Sequence, residues 1–196
     1  NEELLNIARD KGAAVRSDVD FSTITFDDET FDAVIADASF TLPGTIEELI
    51  RDAARIARAG GKVAVILPSA GSFGEVFSLL WEVLFNEDLG EHGAAVERLI
   101  AEIPSVSRIE EIARLAGLKN VKTESAKEVF EYLNGAEFVS TPLVADFLLP
   151  RWLETLSGEQ REGVREKLVQ LIDDEDGSLT FRFSVKATLL TGGKGD

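Results

Sequence analysis

The chain has 196 residues with 44% hydrophobic and 29% charged side chains, enough to bury a core and make one compact domain the default. Its 20 basic and 36 acidic residues leave a net charge of −16, which excludes a phosphate-neutralising nucleic-acid binder and a protein drawn to anionic membranes. With no cysteine and a single histidine, His92, disulfides, cysteine nucleophiles and multi-histidine metal centres are excluded as well.

In chain order, Glu2 to Lys11 reads as the end of a helix, with Leu4, Leu5 and Ala8 on one face and Gly12 as its stop. Ala13 to Val15 suggests a short strand, and Phe31 to Ala36 a second one bounded by acidic turns. Thr45 to Ala59 is an amphipathic helix, with Ile46, Leu49, Ile50, Ala53, Ala54 and Ile56 at helical spacing and Thr45 with Glu48 as a capping box. It stops at Gly60-Gly61, and Lys62 to Leu67 then runs as a continuous apolar strand, the pattern of a strand covered on both faces. Strand, helix and strand joined by short turns predict a parallel sheet with a right-handed crossover.

Residues 69–104 form a longer interruption. Phe73, Val76, Phe77, Leu80, Trp81, Leu84 and Phe85 fall at helical spacing, and Ala94 to Ile103 makes a second helix after a glycine- and aspartate-rich break. This helical insertion is either extra packing on the body of the domain or a lid over a pocket at the carboxyl ends of the strands. Ser107 to Ala116 is a further helix, capped by Ser107 and Glu110 and stopped by Gly117. An exposed or edge strand lies within Asn120 to Tyr132, and Ser157 to Ile172 is a polar amphipathic helix. Leu179 to Leu190 alternates as a long half-buried strand of antiparallel character, and Thr191 to Asp196 reads as a frayed tail. The longest apolar runs fall short of the ~18 residues that a spanning helix needs, no signal peptide is visible, and the expectation is a cytoplasmic protein.

Four segments resemble one family in order and spacing. Asp20 to Phe26 followed by Asp27 to Val34 is similar to the passage from third to fourth strand in class I, S-adenosylmethionine-dependent methyltransferases, where a "sFDxV" segment opens the fourth strand. Ala54 to Val63 resembles the family's "RvLkpGGrl" element, and Ile109 to Val121 its "lleeAGFxxV" element. Leu4 to Arg9 is similar to the "mlexAr" helix that follows the second strand.

The resemblance implies a Rossmann-like, mostly parallel sheet flanked by helices, with an antiparallel C-terminal strand, in a single domain over residues 1–196. It implies S-adenosylmethionine as cofactor and a small-molecule methyl acceptor, with neither a nucleic-acid nor a membrane partner. Asp20 would accept a hydrogen bond from the adenine amino group and Phe21 would offer its ring to the adenine face. Ala36 and Asp37 would lie at the methionine end of the cofactor. The acceptor pocket would lie beneath Phe73, Phe77, Trp81 and Phe85. For Asp20 the alternative is a turn residue, and for the aromatics it is core packing. His92 is either an exposed loop histidine or a general base reaching in from the lid. No metal site is expected, and no residue is assigned a catalytic role.

The family's first strand and its glycine-rich "GxGxG" loop have no counterpart here, because the sequence opens inside the helix after strand two and contains no methionine. The expectation is that residues precede Asn1 in the intact protein. The alternative is a methyltransferase-like interaction domain, or a fragment, without cofactor binding. A third reading, another nucleotide-binding α/β protein such as a dehydrogenase, is disfavoured by the Gly60-Gly61 turn and the antiparallel final strand.

Overall fold

The computed structural model describes residues 26–176 and 180–195. The helix and strand expected before residue 26, together with Asp20 and Phe21, lie outside the described residues. The described part holds four strands in the order β1–β2–β4–β3: β1 Phe31–Asp37, β2 Ala57–Pro68, β3 Leu118–Tyr132 and β4 Phe181–Lys194. The main helices are α1 Ile46–Ile56, α2 Gly74–Asn86, α3 Gly93–Glu102, α4 Val106–Leu115, the short α5 Gly135–Ser140 and α6 Leu149–Trp152, and α7 Gly158–Asp176. A π-helical turn, Leu143–Leu148, leads into α6.

The β1–α1–β2 unit forms as the pattern predicts, with the two strands parallel from Ala33 opposite Lys62 to Asp37 opposite Ile66. The helix ends one turn earlier than expected, at Ile56, because Ala57 already pairs with Phe31. Between Ala57 and Lys62 the chain takes five steps against two along β1, and this bulge holds the Gly60-Gly61 turn. Gly60 sits at φ +72°, and a Cβ on Gly61 would lie 2.8 Å from the Arg58 carbonyl oxygen, so only glycine fits there. The expected Thr45 capping box does not form; the Thr45 hydroxyl donates instead to the Leu42 carbonyl, 2.9 Å away.

Strand β4 runs antiparallel to both neighbours and continues through Thr191–Lys194, which pair with β2 and β3. The expected frayed tail is therefore part of the sheet up to Lys194. Strand β3 is paired with β4 over nearly its whole length. Ser105 caps α4 rather than Ser107, its Oγ accepting from the Arg108 amide, and Gly117 closes the helix at φ +86°. Glu110 faces the sheet instead, accepting from the Thr123 hydroxyl at 2.7 Å. A reciprocal capping box does occur at α7: Ser157 Oγ accepts from the Gln160 amide, and Gln160 Oε1 accepts from the Ser157 amide.

Each face of the sheet meets a different core. Val63, Val65, Leu67 and Leu190 pack with Ile46, Ile50, Ala53 and Ala54 of α1 and with Ile109, Ile112 and Ala113 of α4. The opposite face is covered at the β3–β4 end by an aromatic core drawn from α2, α5, α6 and α7 around Phe183. Toward β1 that face opens: Ile35 is 85% exposed and Ile66 40%. The expectation that β2 is covered on both faces is thus corrected. Its buried residues alternate, and among the described residues the helices over the second face end before reaching β1.

Past Pro68 strand β2 cannot continue, and side chains take over its hydrogen bonding to β4. Ser69 donates its amide to the Lys186 carbonyl, the Lys186 amide donates to Ser72 Oγ, and the Ser184 hydroxyl donates to Glu75 Oε1. The Thr188 hydroxyl donates to Ser69 Oγ in the same buried row. These bonds satisfy backbone and hydroxyl groups that are otherwise cut off from water.

Candidate functional site

The loops at the carboxyl ends of the parallel pair β1–β2 face a cavity of about 220 Å³. Ser39 and Phe40 from beyond β1 and Ile66 to Pro68 from β2 form one side. Phe183, Val185 and Ala187 of β4 and Glu128 and Phe130 of β3 form the floor, and Phe73, Leu143 and Leu148 close it. The strand register explains the floor. Glu128 lies opposite Val185 and Phe130 opposite Phe183, so all four point to the same face.

A second cavity of about 40 Å³ adjoins it, sharing Ser39, Phe40, Pro68, Phe73 and Leu148 and adding Phe77, Phe147, Arg151 and Trp152 among its walls. Phe40 and Phe147 stack with ring centroids 4.8 Å apart, joining the loop after β1 to the π-helical turn. This stack holds the two sides of the site together.

Phe73 lines both cavities and lies in the left-handed region at φ +62°. For a bulky side chain that conformation costs about 1–3 kcal/mol, and it persists here because the Phe73 amide donates to the Ser184 carbonyl at 2.8 Å and the ring packs on Trp152 and Phe183. Two residues on, Glu75 accepts from both the amide and the hydroxyl of Ser184. Burial pushes the Glu75 carboxyl up, but hydrogen bonds from its own amide and from Ser184, with the charge of Lys127, outweigh this and hold it below its ordinary value.

The structure brings together some of the anticipated site residues and separates others. Ala36 and Asp37 end β1, where Asp37 is exposed and its Oδ1 accepts from the Ser39 amide at 2.9 Å. Asp37 is the register partner of Ile66, which lines the larger cavity, so the two lie side by side. Phe73 borders both cavities, while Phe77 borders only the smaller one and is otherwise core, 1% exposed.

Trp81 and Phe85 line neither cavity: Trp81 covers Gly93 so closely that no Cβ fits there, and Phe85 is 73% exposed. They sit one and two turns further along α2, which leads away from the strand ends. His92 is not an exposed loop residue. It closes a 3-10 turn, its side chain 20% exposed, with Nδ1 3.1 Å from Thr155 Oγ1, and it lines neither cavity.

Phe40, Glu128, Phe130, Leu143, Leu148 and Phe183 are site residues that the sequence pattern did not single out. An acid and an aromatic two apart, Glu128 and Phe130, on an edge strand was the available signal. Among the described residues no group of three metal-ligating side chains occurs, and no helix is long and apolar enough to cross a membrane.

Residues 1–65 match a family described as "Methyltransferase domain". No curated protein sequence matches the chain. Among solved structures, the chain is similar to a protein of Bacillus halodurans C-125 provisionally named a methyltransferase, with a TM-score of 0.50 and 13% identity over 100% of this chain and 80% of that one. It is similar also to the YcgJ protein of Bacillus subtilis, with a TM-score of 0.51 and 12% identity over the same shares. The resemblance to class I methyltransferases is borne out by the family match over residues 1–65, and the two solved structures share the fold.

Proposed function

We propose that this methyltransferase-type chain acts as one domain that transfers a methyl group from S-adenosylmethionine to a small molecule seated in the 220 Å³ cavity. The observation that carries the reading is the place of that cavity. It opens beside the carboxyl end of β1, where Asp37 pairs with Ile66 of the cavity wall and where open α/β sheets take their ligands.

Asp37 and Ala36 fit the methionine end of the cofactor. Ala36 has no bulk beyond its Cβ, and the Asp37 carboxylate is fixed by Ser39 through one oxygen, leaving the other to accept a hydrogen bond from an ammonium group. The cofactor itself supplies the activated methyl group. The protein's part is alignment and exclusion of water, and a cavity walled by Phe40, Phe73, Phe130 and Phe183 suits that task. Phe73, Leu143 and Leu148 form the cover over it.

Calorimetric titration with S-adenosylhomocysteine tests the reading. Micromolar binding that weakens about tenfold in Asp37→Ala, or about 1.4 kcal/mol, is the expected result. Absence of binding in the folded protein would leave an interaction domain without cofactor chemistry as the better account.

A further inference from the structure

The larger cavity is lined by four phenylalanines, by aliphatic side chains and by Ser39, and Glu128 is its one ionisable group. Glu128 stands on β3 between Ala126 and Phe130 of the same face and opposite Val185, so no cation flanks it on the floor. The adjacent Lys127 belongs to the other face, where its charge acts on Glu75. Among the described residues Glu128 forms no ion pair. The neighbouring Arg151 lines the 40 Å³ cavity and another of about 210 Å³, and is not among the residues that line the cavity holding Glu128. Glu128 is exposed on this edge strand, so its carboxylate stands at the rim of the apolar lining and not within it.

We infer that the cavity selects a cationic small molecule, an amine or ammonium carrying an apolar body, with Glu128 as the specificity-determining residue. The inference rests on the methyltransferase reading for its meaning as the acceptor site, but the binding preference stands on the cavity alone. The carboxylate at the mouth provides an opposite charge. The accessible rings are Phe40, 38% exposed, and the half-buried Phe130, and such a ring attracts a cation held within ~6 Å of its centre. The net charge of −16 makes the surrounding field favour cations over anions. An anion of the same shape would meet that field and Glu128 together.

The test is calorimetric titration of the full chain, without cofactor, using three probes of similar size: 2-phenylethylammonium, 2-phenylethanol and phenylacetate. The ammonium is expected to bind about tenfold more tightly than the alcohol, a difference of about 1.4 kcal/mol, with the carboxylate weakest. Glu128→Gln, with its fold checked by circular dichroism, should bring the ammonium down to the alcohol's affinity and leave the alcohol unchanged. Equal affinity for ammonium and alcohol, tighter binding of the carboxylate, no binding of any probe, or an unchanged preference in Glu128→Gln would each overturn the inference. S-adenosylhomocysteine titrated separately reports on the methyltransferase reading, so the two can fail independently.

Discussion

The two cores on either side of the sheet differ in chemistry. Beneath α1 and α4 the buried residues are isoleucine, valine, leucine and alanine, small branched shapes that interdigitate. On the other face Phe73, Phe77, Tyr132, Phe138, Trp152, Phe181 and Phe183 meet as flat rings, Phe183 stacking on Phe130 and Tyr132 and meeting Phe138 edge-on. Such rings prefer offset-stacked and edge-to-face contacts, and the two cavities of the candidate site lie at the border of this second core. The aliphatic side is a platform that fixes the strand register. The aromatic side holds the pocket.

Deleting a central ring should break this comparison most forcefully. Phe183→Ala removes a fully buried side chain that touches most of the aromatic core, and about 3–5 kcal/mol of stability should be lost in denaturant titration. Trimming the platform by one methyl, Ile50→Val, should cost only about 1 kcal/mol and leave probe binding unchanged. If Ile50→Val altered the binding of 2-phenylethanol while Phe183→Ala did not, the division of labour between the faces would be wrong.

Glu75 sharpens the comparison, because its bonds to Ser184 tie the strained turn at Phe73 to β4. Glu75 is an exposed residue, so solvent screening keeps the cost of Glu75→Gln below about 1 kcal/mol. Its sign with pH is definite. The folded carboxyl titrates below its ordinary 4.5, so its contribution is complete at neutral pH and is lost as acid protonates it in the folded state. Thermal melts between neutrality and pH 3 should therefore converge for wild type and Glu75→Gln as the pH falls. The smallest effect is expected from Trp81→Ala, which lies off the pocket. Affinity for 2-phenylethylammonium should change less than about twofold, well under 0.5 kcal/mol.

The sequence and the structure agree where the signal is local. The β1–α1–β2 unit, the Gly60-Gly61 turn, the Gly117 stop, α7 and β4 all follow from periodicity and turn chemistry. They part between Leu133 and Leu156, where Phe138, Val139, Val144, Leu148, Leu149, Trp152 and Leu153 are buried although the sequence pattern named no element there. Pro142 and Pro150 cut that stretch, and α5, the π-helical turn and α6 are each six residues or fewer. Such short pieces never accumulate a full helical stripe, so their form depends on the core they cover.

The candidate site divides the same way. That Ala36 and Asp37 stand at a strand end was legible, because a strand end is set by neighbours in the chain. That Phe73 belongs to the pocket while Trp81 does not was beyond periodicity, because both fall on the apolar stripe of one helix. Which turn of that stripe meets the strand ends depends on the left-handed backbone at Phe73 and its bond to Ser184, more than a hundred residues away. By itself the sequence determined the β1–α1–β2 unit, the tight turns and the alternation of β4. Only the tertiary structure set Glu128 beside Phe40 and Phe183, since strand register and helix packing join residues that share no local pattern.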